Sequence, residues 1–187
     1  SHFVIIPFIV HNRGNMRCFI REALTTILLA LVIFLGLQVT IQSSIVLGSS
    51  MEPNFETGQR LIVDKVTYRF GYIKRGDVVI LRPPSNSSVD YIKRVIALSG
   101  ETIEIKDGLV YIDEEPLPEP YIFDPPRYTM KPVEVPEGYC FVLGDNRNSS
   151  NDSHIWGTLP LDNIEGKVWI SIWPPDDWEL IPDYFEN

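Results

Sequence analysis

The chain has 187 residues, 44% of them hydrophobic, with 15 Pro, 2 Cys and a formal net charge of −9 from 16 Lys+Arg against 25 Asp+Glu. This composition excludes a disordered segment, a collagen and a disulfide scaffold, and the length suits one domain of about 100 to 200 residues plus an appended segment. No basic stripe able to displace counterions occurs, so nucleic acid is not expected as a partner.

Residues 23 to 51 carry no charged side chain, a run of 29 residues. Its densest part continues from Ala23 to Val46, 24 residues, and roughly 20 residues at about 1.5 Å rise cross the hydrocarbon of a bilayer. A single transmembrane helix over 23–46 is therefore predicted. The apolar region of a cleavable signal is shorter, about 7 to 15 residues, so the segment reads as an anchor. Arg13, Arg17 and Arg21 precede it and Glu52 follows; the positive-inside tendency then places residues 1–22 in the cytoplasm and a domain over 47–187 on the extracytoplasmic side. Met16 followed by Arg17 would make an ordinary start, which would leave residues 1–15 as an extension. In this topology Cys18 and Cys140 lie on opposite sides of the membrane and cannot pair.

Beyond the anchor the pattern is of short strands. Arg60 to Val66, Asp77 to Leu81 and Tyr91 to Leu98 each read as a strand. Glu101 to Ile105 and Leu109 to Ile112 form a hairpin signal with Asp107-Gly108 at its tip. Seven prolines between Pro116 and Pro136 are too many for a central strand or a helix, and mark an irregular excursion. Strands resume at Tyr139 to Leu143 and Gly166 to Ile172. The expected fold class is mainly β: antiparallel sheets closed over one core, with a helix only at the anchor.

Three stretches bear chemistry. Gly48-Ser49-Ser50-Met51-Glu52-Pro53 is a serine-containing loop where the chain leaves the bilayer; alone, such a serine is an ordinary turn residue. In Tyr91 to Leu98 alternation puts Lys93 on one face and Arg94 on the other, each among apolar side chains. Such a cation is ordinarily a solvated edge charge. The alternative is a desolvated ammonium, whose neutral form becomes available as a base, and a serine needs such a base to become a nucleophile. Gly144 to Ser153 is a dense run of short polar residues. Read as a calcium loop it fails, because Arg147 and Ser150 stand where oxygen and glycine are needed.

In this order after one apolar helix, Ser50-Met51-x-Pro53, Arg75-Gly76-Asp77-Val78-Val79, Tyr91-Ile92-Lys93-Arg94-Val95-Ile96, and Gly144-Asp145-Asn146-Arg147 with Ser150-x-Asp152-Ser153 and Trp156-Gly157 resemble the type I signal peptidases. These are membrane-bound Ser/Lys proteases whose catalytic domain is similar to that of the LexA-type repressors. The resemblance covers roughly Ser43 to Ile172. It implies Ser50 as nucleophile and Lys93 as general base, working through an acyl-enzyme, with Ser150 and Asp152 orienting the lysine and bracing the site. Arg147 would pair with Asp152 or a neighbouring carboxylate. The Ser50 N–H would donate to the oxyanion; Gly48 stands where some members carry a second donor hydroxyl. Asn54-Phe55, Ser99, Asn148 and His154 are further departures from the family's usual residues.

The implied substrates are preproteins cut after small residues. A peptide added as an extended strand presents alternate side chains to one surface, so the first and third residues before the cut face the enzyme together, which suits an Ala-x-Ala ending. Val46, Met51, Phe55, Tyr91 and Ile92 are the candidate pocket walls. Trp169, Trp173 and Trp178 suit either a bilayer interface or a core. The partners expected are signal peptides of preproteins and the lipid bilayer of a cell or thylakoid membrane, with no metal and no cofactor. Two rivals stand beside this reading: a Ser/His protease using Ser50, His154 and Asp152, and a tethered β domain that only binds a partner.

Overall fold

The computed structural model describes residues 13–70, 72–84, 89–175 and 178–185; the predicted extension over 1–15 lies largely outside them. The chain divides into two units, Ser1–Val39 and Thr40–Asn187. The first contains all but the last residue of the helix α1 (Arg13–Thr40), whose Cys18–Gly36 stretch is long and apolar enough to cross a membrane, with mean hydropathy 2.2 and none of it buried. A helix satisfies every backbone group within the segment, which hydrocarbon demands. Thr25 and Thr26 close their hydroxyls on the Glu22 carbonyl, each at 2.9 Å.

The helix stops at Thr40, six residues before the predicted end. Ile41–Ile45 form β1, paired antiparallel with β2 (Arg60–Asp64) in the register Ile41↔Asp64 to Ile45↔Arg60. Absence of charge does not distinguish a spanning helix from a strand. The β-branched Ile41 and Ile45 and the serines 43 and 44 favour the extended form once β2 offers a ladder. The pairing continues through Val46, whose N–H donates to Gln59 O and whose carbonyl accepts from Gly58 N–H, each at 2.9 Å.

The second unit is mainly antiparallel β. Its remaining elements are the one-turn helix α2 (Thr67–Phe70), β3 (Val78–Leu81), β4 (Tyr91–Ala97), β5 (Thr102–Lys106), β6 (Leu109–Ile112), β7 (Glu115–Pro116), β8 (Met130–Glu134), β9 (Tyr139–Leu143), the one-turn helix α3 (Ser153–Trp156), β10 (Leu159–Pro160), β11 (Ile164–Trp173) and β12 (Glu179–Leu180). One sheet runs β1-β2-β11-β3-β4-β9-β10 with β12 on β11, and a second runs β7-β6-β5-β8. Helices are therefore not confined to the anchor. Each short one follows an aspartate: Asp64 Oδ1 accepts from Val66 and Thr67 N–H, ending β2 two residues early, and Asp152 caps α3 through His154 N–H. The proline-rich excursion contains β7 and β8. Both lie at the edges of the smaller sheet, where Pro116 and Pro132 remove no ladder bond that a central strand needs.

Strands β3 and β4 are central in the larger sheet and buried on both faces. Three apolar clusters surround them: one between β4, β9 and the smaller sheet, one under β2, β3 and Met51–Phe55, and one under β9 and β10. Their consequence for the site is direct. Lys93 and Arg94, on opposite faces of β4, are both withdrawn from water, at 3% and 1% exposure; neither is a solvated edge charge.

Candidate active site

Arg94 and Lys93 meet burial in opposite ways. Arg94 donates from Nε to Asp145 Oδ1 at 2.8 Å and from Nη2 to Asp145 Oδ2 at 2.7 Å, with Nη1 on the Gly76 carbonyl at 3.0 Å. A bidentate guanidinium–carboxylate pair keeps both charges. Lys93 has no such partner: among the described residues no carboxylate lies within ion-pair distance of it. Its Nζ donates to Ser50 Oγ at 2.7 Å and to the Ile92 carbonyl at 2.7 Å. Burial disfavours the ammonium and pulls Lys93 down to about 8, against the opposing fields of Asp152 and Asp145. An amine that loses its proton near neutrality, in contact with a serine hydroxyl, has the geometry of a base and its nucleophile.

Ser50 sits in the turn between β1 and β2, and that turn is held on both sides. Met51 behind it is fully buried. Asn146 in front of it donates its N–H to Ser50 O at 3.1 Å and its side-chain Nδ2 to Ser49 O at 3.0 Å. Asn54 joins the Ser50 turn to the Arg94 pair, donating to Asp145 Oδ2 at 2.8 Å and to Tyr121 O at 2.7 Å.

The loop after β9 packs so closely on this turn that Gly144 has no room for a side chain: a Cβ there would overlap the Ser50 carbonyl oxygen and the Ser150 hydroxyl. Gly144→Ala is accordingly expected to displace Ser50, and, with Ser50 as the reacting group proposed below, to lower kcat/KM about 100-fold, since a displacement of about 1 Å costs that much. Unchanged cleavage rates with unchanged circular dichroism would show the loop to be slack.

Of the residues expected to support the lysine, Asp152 is fully buried and accepts from Gly144 N–H at 2.9 Å, His154 N–H at 3.1 Å and His154 Nδ1 at 2.6 Å. Ser150 is brought against Gly144, yet its Oγ is buried with no hydrogen-bond partner among the described residues. Arg147 does not pair with Asp152. It donates both Nη atoms to Glu119 and its Nε to Gly144 O at 3.1 Å. Glu119 lies in the proline-rich excursion, 28 residues away, and only the fold brings it to the loop.

A cleft of about 570 Å³ opens over Ser50 and Lys93. Val46, Tyr91 and Ile92 line it, together with Leu61 and Ile80, which the sequence reading did not single out although each lies on an inward face of its strand. Met51 and Phe55 are not among its walls; they are packed into the core beneath, Phe55 also reaching a separate cavity beside Arg94. Trp169, Trp173 and Trp178 are exposed rather than core.

The family model described as "Signal peptidase, peptidase S26" matches residues 20–173. The chain is 43% identical over 168 residues to a probable signal peptidase I-1 of Synechocystis sp., covering 86% of each chain. It is 39% identical over 138 residues to thylakoidal processing peptidase 1, chloroplastic, of Arabidopsis thaliana, covering 68% of this chain and 41% of that one. A crystal structure of a signal peptidase I from Enterococcus faecalis V583 is 32% identical, covering 51% of this chain and 96% of that one, with a TM-score of 0.43. A match spanning most of the β unit and the apolar helix places the chain in the signal peptidase family, peptidase S26.

Proposed function

We propose that this peptidase is a single-pass membrane enzyme that removes signal peptides by Ser/Lys catalysis, with Ser50 as nucleophile and Lys93 as general base. The observation that carries the reading is the 2.7 Å contact between Lys93 Nζ and Ser50 Oγ, made by a buried lysine that has no carboxylate partner among the described residues. Neutral Lys93 takes the hydroxyl proton as Ser50 Oγ attacks the scissile carbonyl carbon. The tetrahedral oxyanion collapses with cleavage of the C–N bond, and the lysine's proton goes to the leaving amine of the mature chain. Water, deprotonated by the same lysine, then attacks the ester; the C–Oγ bond breaks, the lysine's proton returns to Ser50 Oγ, and the signal peptide's carboxylate is freed. The backbone N–H of Ser50 is the proposed oxyanion donor. Because the acting form of Lys93 is the neutral one, activity is expected to rise with pH through about 8.

The apolar cleft walls Val46, Leu61, Ile80, Tyr91 and Ile92 support selection of small residues at the first and third positions before the cut. The apolar helix, the arginines before the Ala23–Val39 run and the exposed tryptophans support a lipid partner, a cytoplasmic N-terminus and a catalytic unit on the far face of a cell or thylakoid membrane. Among the described residues the Ser50 hydroxyl meets Lys93 Nζ and has no hydrogen bond to His154, which favours lysine over histidine as the base.

The experiment is cleavage of an Ala-x-Ala preprotein by the detergent-solubilised full chain. Cutting at the Ala-x-Ala site is expected, with loss when Ser50→Ala is made and when the residue before the cut is Trp. Cleavage that survives Ser50→Ala overturns the nucleophile, and equal cleavage of the Trp substrate overturns the specificity.

A further inference from the structure

The turn that carries Ser50 leaves one donor unused. Ser50 Oγ meets Lys93 Nζ and its carbonyl accepts the Asn146 N–H, but its own N–H has no acceptor among the described residues. An acyl-transfer site stabilises its oxyanion with preorganised donors aimed at one point, and a single N–H is half of the usual pair. Residue 48, two before Ser50, is a glycine, so a second side-chain donor has to come from another wall of the cleft.

The loop after β9 supplies that wall. Asn146 clamps it to the Ser50 turn through Ser49 O and Ser50 O, and Gly144 packs against both the Ser50 carbonyl and Ser150. From Ser150 the backbone runs extended, with φ −129° and ψ 134° there and φ −147° and ψ −163° at Asp152. Side chains alternate along such a stretch. Ser150 and Asp152 turn inward, at 9% and 0% exposure, while Asn151 between them is exposed and lines the cleft with Ser50 and Lys93. Its amide makes no hydrogen bond among the described residues. Neighbouring polar side chains suit the task less. Asp90 can only accept and would repel an oxyanion. Tyr91 lays its ring by Lys93, 5.4 Å from Nζ, and the Ser149 hydroxyl reaches one bond less far than an asparagine amide.

We propose that Asn151 is a catalytic residue of this peptidase: its side-chain amide donates to the oxyanion of the scissile carbonyl as the partner of the Ser50 N–H. The inference rests on the reading of Ser50 as nucleophile. As Oγ bonds to the carbonyl carbon and its proton passes to Lys93, the C=O electron pair moves onto oxygen, where the two N–H groups meet the new charge. On collapse the pair returns, the C–N bond breaks and the lysine's proton goes to the leaving amine. An amide suits this place because it donates without a charge of its own to desolvate. Ser150 and Asp152, buried on either side, fix the backbone from which it projects, so the donor needs little rearrangement when the charge forms.

The test is steady-state cleavage of an Ala-x-Ala preprotein by the detergent-solubilised full chain and its Asn151→Ala and Asn151→Asp variants. Asn151 is exposed, so both variants are expected to keep the fold, read by circular dichroism. Asn151→Ala is expected to lower kcat about 100-fold and to leave KM within about threefold, as loss of one oxyanion donor does. Asn151→Asp keeps the shape but turns a carboxylate to the oxyanion, and is expected to lose more. A kcat for Asn151→Ala within about threefold of the unaltered chain overturns the proposal. So does a loss confined to KM, which would make the amide a contact of the bound peptide, or a loss that appears in Ser149→Ala instead. Inhibition by a peptide boronate of the Ala-x-Ala pattern reads the same donor without turnover. Its boron bonds to Ser50 Oγ as a tetrahedral anion while the hydroxyl proton passes to Lys93. Asn151→Ala is expected to weaken this inhibitor about tenfold or more, and equal inhibition overturns the proposal. Failure of the underlying reading is separate: cleavage would then survive Ser50→Ala whatever the Asn151 variants do.

Discussion

Lys93→Met is expected to abolish cleavage and at the same time to make the folded chain more stable at neutral pH. Loss of the proposed base leaves Ser50 with an ordinary hydroxyl, and removal of one member of a nucleophile–base pair lowers kcat by about 1,000-fold or more. The stability gain follows from the burial that makes Lys93 useful. Its folded value of about 8 lies below the ordinary 10.5, so the unfolded chain holds this proton more tightly. Below about 8 the native state bears the full cost of a buried ammonium; between 8 and 10.5 that cost fades as pH rises, because the unfolded chain alone remains protonated. The difference corresponds to at most about 3 kcal/mol, less the two hydrogen bonds that methionine cannot make. Thermal unfolding in detergent at neutral pH should show Lys93→Met above the unaltered chain, with the gap closing above pH 10.5. A variant destabilised at neutral pH would mean that the lysine is held as a structural cation. Lys93→Arg should be inactive as well, since a guanidinium stays protonated.

Asp145→Asn is expected to cause the largest loss of stability, about 3 to 5 kcal/mol, because it leaves the Arg94 guanidinium buried without its counter-charge. Arg94 is 1% exposed and has Tyr121 and Tyr184 against it, 4.3 and 5.5 Å from its guanidinium carbon to the ring centroids, and an amide replaces the carboxylate's charge with none. The same substitution removes the acceptor of Asn54 and loosens the turn that carries Ser50, so activity should fall with stability. The paired change Arg94→Met with Asp145→Leu removes both charges, and should recover much of the stability but not the activity. Urea unfolding of the three proteins decides it. A cost below about 1 kcal/mol for Asp145→Asn would show that the pair is hydrated.

Much of the fold follows from local rules. The Asp107-Gly108 hairpin, the β3, β4 and β9 strands and the apolar helix each carry their own periodicity or turn chemistry. The boundary at Thr40 does not, because Ile41 to Ile45 are as uncharged as a helix interior and become a strand only when β2 pairs with them. β8 is hidden in a proline-rich stretch for a related reason: Pro132 is acceptable on an edge, and which strand is an edge is a property of the sheet. Met51 and Phe55 show the same limit in the site. Their places beside Ser50 suggest pocket walls, yet the turn aims them into the core.

By itself the sequence determined the class of the chain, the order of its motifs and which residue types are available for chemistry, since these depend on composition and spacing. The tertiary structure alone decided that both cations of β4 are desolvated, that Asp145 takes one and leaves the other to Ser50, that Glu119 closes on Arg147 and that His154 faces Asp152. The reason is physical: a charge's protonation state is set by how much water it loses and which opposite charge comes within a few ångströms, and here the partners of Arg147, Lys93 and Arg94 are brought from 28, 43 and 51 residues away along the chain.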